Sequence, residues 1–191
     1  MSAARQASLF DPEPVGPPGF VYRVEFLSTG EEAALAAWLG TLPFAPFLFQ
    51  GYEARRRVVS FGWTYDFSRS HLEKADDIPA ELLAVRARAA ALAGLAPDDL
   101  QQVLLNEYQP GAPIGWHRDR PVFAKVVGIS LLAPCAFRFR RRAGEGFERK
   151  TVTLQPRSAY VLSGPSRTDW EHSIPPVSEH RYSITFRNFK G

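Results

Sequence analysis

Cysteine is almost absent: Cys135 stands alone among 191 residues. One cysteine excludes an internal disulfide framework and any metal site built on clustered thiolates, and Cys135 itself reads as a small buried hydrophobe. Long apolar runs are missing too. The longest nearly apolar stretch, Val126 to Phe137, contains Gly, Ser and Pro and falls well short of the roughly 18 residues of a membrane span. No charged segment followed by an apolar one opens the chain, so no secretory signal is expected. No internal repeat is visible. What is present, 45% apolar and 23% charged residues, is ordinary for a globular protein and excludes disorder, collagen and coiled coil for the chain as a whole. The length suits one domain with a core that needs no crosslinks. The expectation is a soluble, cytoplasmic, monomeric protein without a membrane partner.

Lysine is also scarce. Of 23 basic residues only four are Lys and 19 are Arg, the side chain whose rigid fork suits phosphate and carboxylate. The net charge of +3 conceals local clustering. Residues 136–150 carry Arg138, Arg140, Arg141, Arg142, Arg149 and Lys150 against Glu145 and Glu148, and Arg55-Arg56-Arg57 forms a second cluster. Basic patches on a nearly neutral body are compatible with a polyanion partner.

Residues 1–20, with four prolines and no hydrophobic period, read as a flexible arm. Residues 21–191 read as one domain, divided into an N-terminal cover at 21–98 and a β core at 99–191. In the cover, Val21–Leu27 reads as a strand and Glu31–Leu39 as a helix capped by Ser28 or Thr29 and stopped at Gly40. Pro43–Gln50 reads as an aromatic loop. Arg55–Ser68 reads as one strand-like segment with Phe61, Trp63, Tyr65 and Phe67 at period two. Leu82, Val85, Ala89 and Leu92 repeat at helical spacing, in a helix that starts near Asp77 and ends at Gly94 or Pro97. Six short strand patterns follow (Leu100–Tyr108, Val126–Leu132, Ala136–Arg142, Lys150–Leu154, Ala159–Ser163, Arg181–Asn188), separated by Gly and Pro turns. That pattern argues for a barrel or sandwich.

Four histidines remain to carry chemistry. His117 and Asp119 lie two apart, and on an extended chain their side chains leave one face. With His172 they make two imidazoles and one carboxylate, the donor set of a non-haem Fe(II) facial triad. Arg181 and Arg187, six residues apart on a strand, share a face and could clamp a small dicarboxylate. Asn106 and Tyr108 share the face of another strand opposite Val103 and Leu105.

These motifs (Asn106-x-Tyr108-x-Pro110-Gly111, His117-x-Asp119, Trp170-Glu171-His172 and Arg181-Tyr182-x-x-Thr185-Phe186-Arg187) resemble the AlkB-like Fe(II)- and 2-oxoglutarate-dependent dioxygenases over roughly residues 55–189. The resemblance implies an α+β, mainly β fold: a double-stranded β-helix (jelly roll) with N-terminal helices and a nucleotide-recognition lid, placed at Arg55–Ser68. It implies that His117, Asp119 and His172 bind Fe(II) and that Asn106 and Tyr108 hydrogen-bond 2-oxoglutarate. Arg181 would pair with the distal carboxylate, Ser183 would stand where members often carry Asn, and Arg187 would lie near the metal-chelating end. Several DNA-repair members carry an acidic residue two positions after the metal aspartate. Here that position is Pro121, a departure that bears on the substrate and not on the reaction type.

The implied activity is oxidative dealkylation of N-alkylated bases in single- or double-stranded DNA or RNA. It consumes O2 and 2-oxoglutarate and releases aldehyde, succinate and CO2. Trp63, Tyr65, Arg57 and Arg120 are the candidate substrate contacts, with the Arg138–Arg142 hairpin flanking the phosphate path. Two alternatives stand beside it: the same oxygenase chemistry on a protein side chain or small molecule, and a catalytically silent jelly-roll binding module.

Overall fold

The structure is a computed structural model that describes residues 15–49, 52–66 and 71–190. Its elements run β1 (Phe20–Arg23), α1 (Thr29–Leu39), β2 (Ala45–Phe49), β3 (Tyr52–Phe61), β4 (Trp63–Asp66), β5 (His71–Lys74), α2 (Ala80–Ala93), β6 (Gln102–Tyr108), β7 (Ile114–His117), β8 (Phe123–Leu131), β9 (Cys135–Ala143), β10 (Gly146–Leu154), β11 (Ala159–Leu162), α3 (Pro165–Thr168), β12 (Glu171–Ile174) and β13 (Arg181–Phe189). A seven-stranded sheet has the order β1-β11-β8-β13-β6-β3-β2, and a four-stranded sheet has the order β10-β9-β12-β7. Strand pairing in both is antiparallel. The two sheets form the double-stranded β-helix. No helix among the described residues is long and apolar enough to cross a membrane.

The large sheet is buried on both faces at its centre, and β8 accordingly reads as a nearly continuous apolar run. Alternate residues serve two different cores. Val103, Leu105, Val127, Ile129, Leu131, Ile184 and Phe186 point to one side, where Leu35 and Leu39 of α1 and Leu82, Val85, Ala89 and Ala90 of α2 cover them. Tyr108, Val126, Tyr160 and Leu162 point the other way and meet Phe137, Phe139, Val152 and Leu154 of the small sheet. The helices start and stop where local chemistry directs. Ser28 caps α1 in a reciprocal capping box with Glu31, and Gly94 ends α2 in the left-handed conformation that suits glycine.

Three expectations change. Residues 43–50, expected as a loop, contain β2. Pro46 is tolerated there because β2 is the sheet's edge strand. The Arg55–Ser68 segment is not one strand. Gly62 adopts φ +76° and a Cβ there would lie 2.1 Å from the Gln101 carbonyl oxygen, so the chain breaks at glycine into β3, an integral strand of the large sheet, and β4, which pairs with β5 in a separate two-stranded sheet. The N-terminal strand begins at Phe20, and most of the expected arm, residues 1–14, lies outside the described residues.

Phe139 is fully buried between the sheets, with its ring 4.8 Å from Phe137 and 5.1 Å from Phe20. Phe139→Ala is expected to cost about 3–5 kcal/mol through lost transfer energy and the cavity left behind. Urea denaturation checks this: a loss below about 1 kcal/mol would mean the two sheets do not depend on this seam.

Candidate metal centre and anion pocket

Two elements of the small sheet bring the histidines together. His117 ends β7, His172 lies in β12, and the two are directly paired across the ladder with ring centroids 4.3 Å apart. The loop after β7 returns Asp119 to the same face. One ligand-capable atom from each of His117, Asp119 and His172 lies within 4.8 Å of the others. The His117 Nδ1 lies 2.9 Å from the Gly115 carbonyl oxygen. Donation to that carbonyl leaves Nε2 with its lone pair free, the form a metal needs.

Electrostatics keep all three in ligating states. Burial pushes the His117 imidazolium down, against the pull of Asp119. His172 is pushed down to about 3, first by burial and then by neighbouring His117. For Asp119 burial works the other way, but Arg187, His172 and His117 outweigh it and hold its carboxyl well below the usual range. Arg187 reaches from β13 of the opposite sheet, placing Nε 2.9 Å and Nη2 2.8 Å from Asp119 Oδ1, while its Nη1 donates to Gln102.

A cavity of about 1440 Å³ opens over the triad. Its floor is the inner face of the large sheet, where strand register sets Arg181 beside Tyr108 and Ser183 beside both Asn106 and Ser130. Arg181 is 1% exposed. Its Nε and Nη2 donate to the Ser130 hydroxyl at 3.3 and 3.2 Å, and its guanidinium lies 4.9 Å over the Tyr108 ring. Its Nη1 has no partner, and no carboxylate pairs with it among the described residues. A buried cation this poorly met is costly unless an anion joins it. Asn106 already accepts from Arg56 at 3.0 Å, which leaves its amide nitrogen to donate.

The cavity gathers His117, Asp119, His172, Asn106, Tyr108, Arg181, Ser183, Arg187 and Arg120, with Pro121 beside the triad. It does not gather Arg57 or Trp63. Arg57 lies on the reverse face of β3, 2.9 Å from Glu107, and the inward residue is its neighbour Arg56. A one-residue step on a strand changes faces, and the β3–β6 pairing that decides which arginine faces in is not readable from either strand alone. Trp63 packs edge-on against Phe189 at 5.6 Å, while Thr64 lines the cavity. The side chain of Tyr65 lies outside the described residues. Sequence reading also missed Gln102, Arg167 and Tyr160. Gln102 had a signal, since it continues the Leu104, Asn106, Tyr108 alternation. Cys135 is buried, as expected of a small hydrophobe.

A family model, the 2OG-Fe(II) oxygenase superfamily, matches residues 40–187. The chain is 26% identical over 198 residues to the alkylated DNA repair protein ALKBH8 homolog of Arabidopsis thaliana, covering 88% of this chain and 54% of that protein. It is 31% identical over 122 residues to the alpha-ketoglutarate-dependent dioxygenase AlkB of Salmonella typhimurium, covering 58% of this chain and 55% of that one. It thus spans about half the length of these relatives. The solved structure of OsALKBH1 superposes with a TM-score of 0.70 at 17% identity, over 93% of this chain and all of that one, a likeness of fold.

Breaking the Arg187–Asp119 pair is expected to be costly. Arg187→Met should destabilise the metal-free protein by about 3–5 kcal/mol at neutral pH, because it leaves a buried carboxylate uncompensated. With Arg187 present, the depressed Asp119 contributes stability that is complete above its unfolded pKa, near 4, and is lost as pH falls below it. Without Arg187, burial raises that pKa, so acid relieves the penalty. Denaturation at stepped pH should therefore show the gap between variant and wild type closing below about pH 4. A pH-independent gap would disprove the pairing.

Proposed function

The chain belongs to the 2OG-Fe(II) oxygenase superfamily, and from that premise we propose that it oxidatively removes N-alkyl groups from bases in DNA or RNA. It is an AlkB-like dioxygenase with Fe(II) and 2-oxoglutarate as cofactors. The residues present fit both groups. Two neutral imidazoles and one ionised carboxylate suit non-haem Fe(II), so His117, Asp119 and His172 would hold the iron. The unpaired Arg181 Nη1 suits a carboxylate, so Arg181, with Tyr108, Asn106 and Ser183 near it, would hold the cosubstrate. Iron and 2-oxoglutarate together supply an O2-dependent oxidation that releases succinate and CO2. The protein's share is to orient Asp119 through Arg187, keep both histidines neutral and shield the reacting carbon. An N-alkyl carbon hydroxylated there leaves as an aldehyde and returns the unmodified base.

The observation that carries the nucleic-acid reading is the cavity's charge. Arg55, Arg56, Arg118, Arg120, Arg167 and Lys190 line it together with Arg181 and Arg187, and Asp119 is the one carboxylate among its described lining residues. Such a basin favours a polyanion over a neutral metabolite or a cationic methylated side chain. The outer face of the small sheet extends the positive field through Arg138, 5.1 Å over the Trp116 ring, and through Arg142 and Arg149 against Phe147, whereas Arg140 is paired with Glu171 at 2.6 Å. A duplex base must leave its stack to reach the triad.

The test is aldehyde release, with Fe(II) and 2-oxoglutarate, from N-alkylated DNA and RNA oligonucleotides against methylated peptides. Release from oligonucleotides, with affinity falling steeply as salt rises, is expected. Release from peptides alone would move the substrate to protein. His117→Ala, Asp119→Ala and His172→Ala should each abolish succinate formation, and near-normal turnover in any of them would refute the iron assignment.

Arg181→Ala should raise the 2-oxoglutarate KM at least ~10-fold, as expected for a lost charged hydrogen-bond pair. Arg181→Lys should recover only part of that, because Lys lacks the fork. Equal KM values for wild type and Arg181→Ala would remove Arg181 from the cosubstrate site.

A further inference from the structure

Gly128 sits in the middle of β8, in the buried run Val126-Val127-Gly128-Ile129-Ser130, where a glycine weakens a strand and marks a close approach. The approaching group is Tyr160. A Cβ built on Gly128 would lie 2.2 Å from the Tyr160 Cζ and 2.4 Å from its hydroxyl oxygen. Tyr160 and Gly128 are register partners in β11 and β8, and Thr185 of β13 is the partner on Gly128's other side. The phenol therefore lies flat across β8 and carries its hydroxyl toward β13. Phe137, with its ring centroid 4.8 Å away, holds the ring from above.

The hydroxyl ends in a telling place. Ser130, which receives Arg181, is two residues along β8 from Gly128, about 6–7 Å on the same face. In the other direction Arg187, which holds Asp119, is two residues along β13 from Thr185. The Tyr160 hydroxyl thus stands between the Arg181 pocket and the triad, on the wall of the same cavity. It makes no hydrogen bond with any described residue. Burial, followed by the nearby Tyr108 phenol, pushes its ionisation upward, so it remains a donor.

We propose that Tyr160, seated on Gly128, is a cosubstrate-binding residue whose hydroxyl donates to the Arg181-held carboxylate of 2-oxoglutarate. This rests on the oxygenase reading above and adds a donor that the sequence motifs do not include. Gly128 is the matching requirement, since any side chain there displaces the ring.

Calorimetric titration of the Mn(II)-loaded full chain tests it without the alkylated substrate. Two ligands are compared: 2-oxoglutarate, and 2-oxopentanoate, which keeps the keto acid but lacks the second carboxylate. Tyr160→Phe should weaken 2-oxoglutarate about 10-fold, as expected for a hydrogen bond to a charged group, and should leave 2-oxopentanoate unchanged. Gly128→Ala should weaken 2-oxoglutarate at least as much. Adding Tyr160→Ala to it should bring affinity back to that of Tyr160→Ala alone. Tyr160→Phe binding 2-oxoglutarate within twofold of wild type would overturn the assignment, as would equal losses for both ligands. Wild-type protein that binds no 2-oxoglutarate would overturn the oxygenase reading itself.

Discussion

The ion pair between Arg187 and Asp119 joins the two sheets across the wall of the cavity. Asp119 belongs to the loop leaving the small sheet and Arg187 to the central region of the large one. The carboxylate is 7% exposed and the guanidinium 12%, so neither is well served by water. Each would be costly alone, and together they fix how the sheets face each other. The rest of the site follows. With Asp119 held in its ionised form, His117 and His172 meet it across one strand pair. The same strand that supplies Arg187 presents Ser183 and Arg181 along its inner face.

That geometry explains which parts of the molecule were legible in the sequence. His117-x-Asp119 and the alternation along Arg181–Arg187 state their own face, because period two is a property of a single strand. The helix caps at Ser28 and Gly94 are equally local. What could not be read depends on pairing between strands distant in sequence. The choice between Arg56 and Arg57 is made by the register of β3 on β6, fifty residues away in the chain. Trp63 left the expected stripe because Gly62 turns the backbone before it. Tyr160 looks like one more core aromatic until Gly128 is seen beneath it. Two short strands, β7 and β12, were not read as strands although they carry His117 and His172, since four residues around a metal site carry too few apolar positions to show a period.

The large sheet is shared by two cores of different character. Its outer face is apolar apart from the Arg57–Glu107 pair at one end and is covered by α1 and α2. Its inner face alternates apolar support near the edges with polar groups along the middle strands. A rigid sheet covered on its far side is what allows buried Arg181, Ser183 and Asn106 to remain in fixed rotamers without partners of their own kind.

The inner face is left with a specific deficit. Among the described residues lining the cavity one carboxylate answers eight basic side chains, and that carboxylate is committed to Arg187 and the histidines. Arg181 consequently has a serine hydroxyl and an aromatic face where a buried guanidinium ordinarily finds an anion. A fold selected for stability alone would place an acid there, and β6 could do so at Asn106 or Tyr108 without disturbing the register. Instead both positions carry neutral groups able to donate. With only neutral acceptors, the Ser130 hydroxyl and the Asn106 carbonyl, facing these guanidinium groups, the pocket would favour a ligand that supplies two negative charges at once. Such a ligand also lessens the repulsion that a divalent cation beside Arg187 and Arg56 would otherwise feel. An anion held by Arg181 and a cation held by His117, Asp119 and His172 would therefore be coupled by charge as well as by proximity, so that affinity gained at one would be affinity gained at the other.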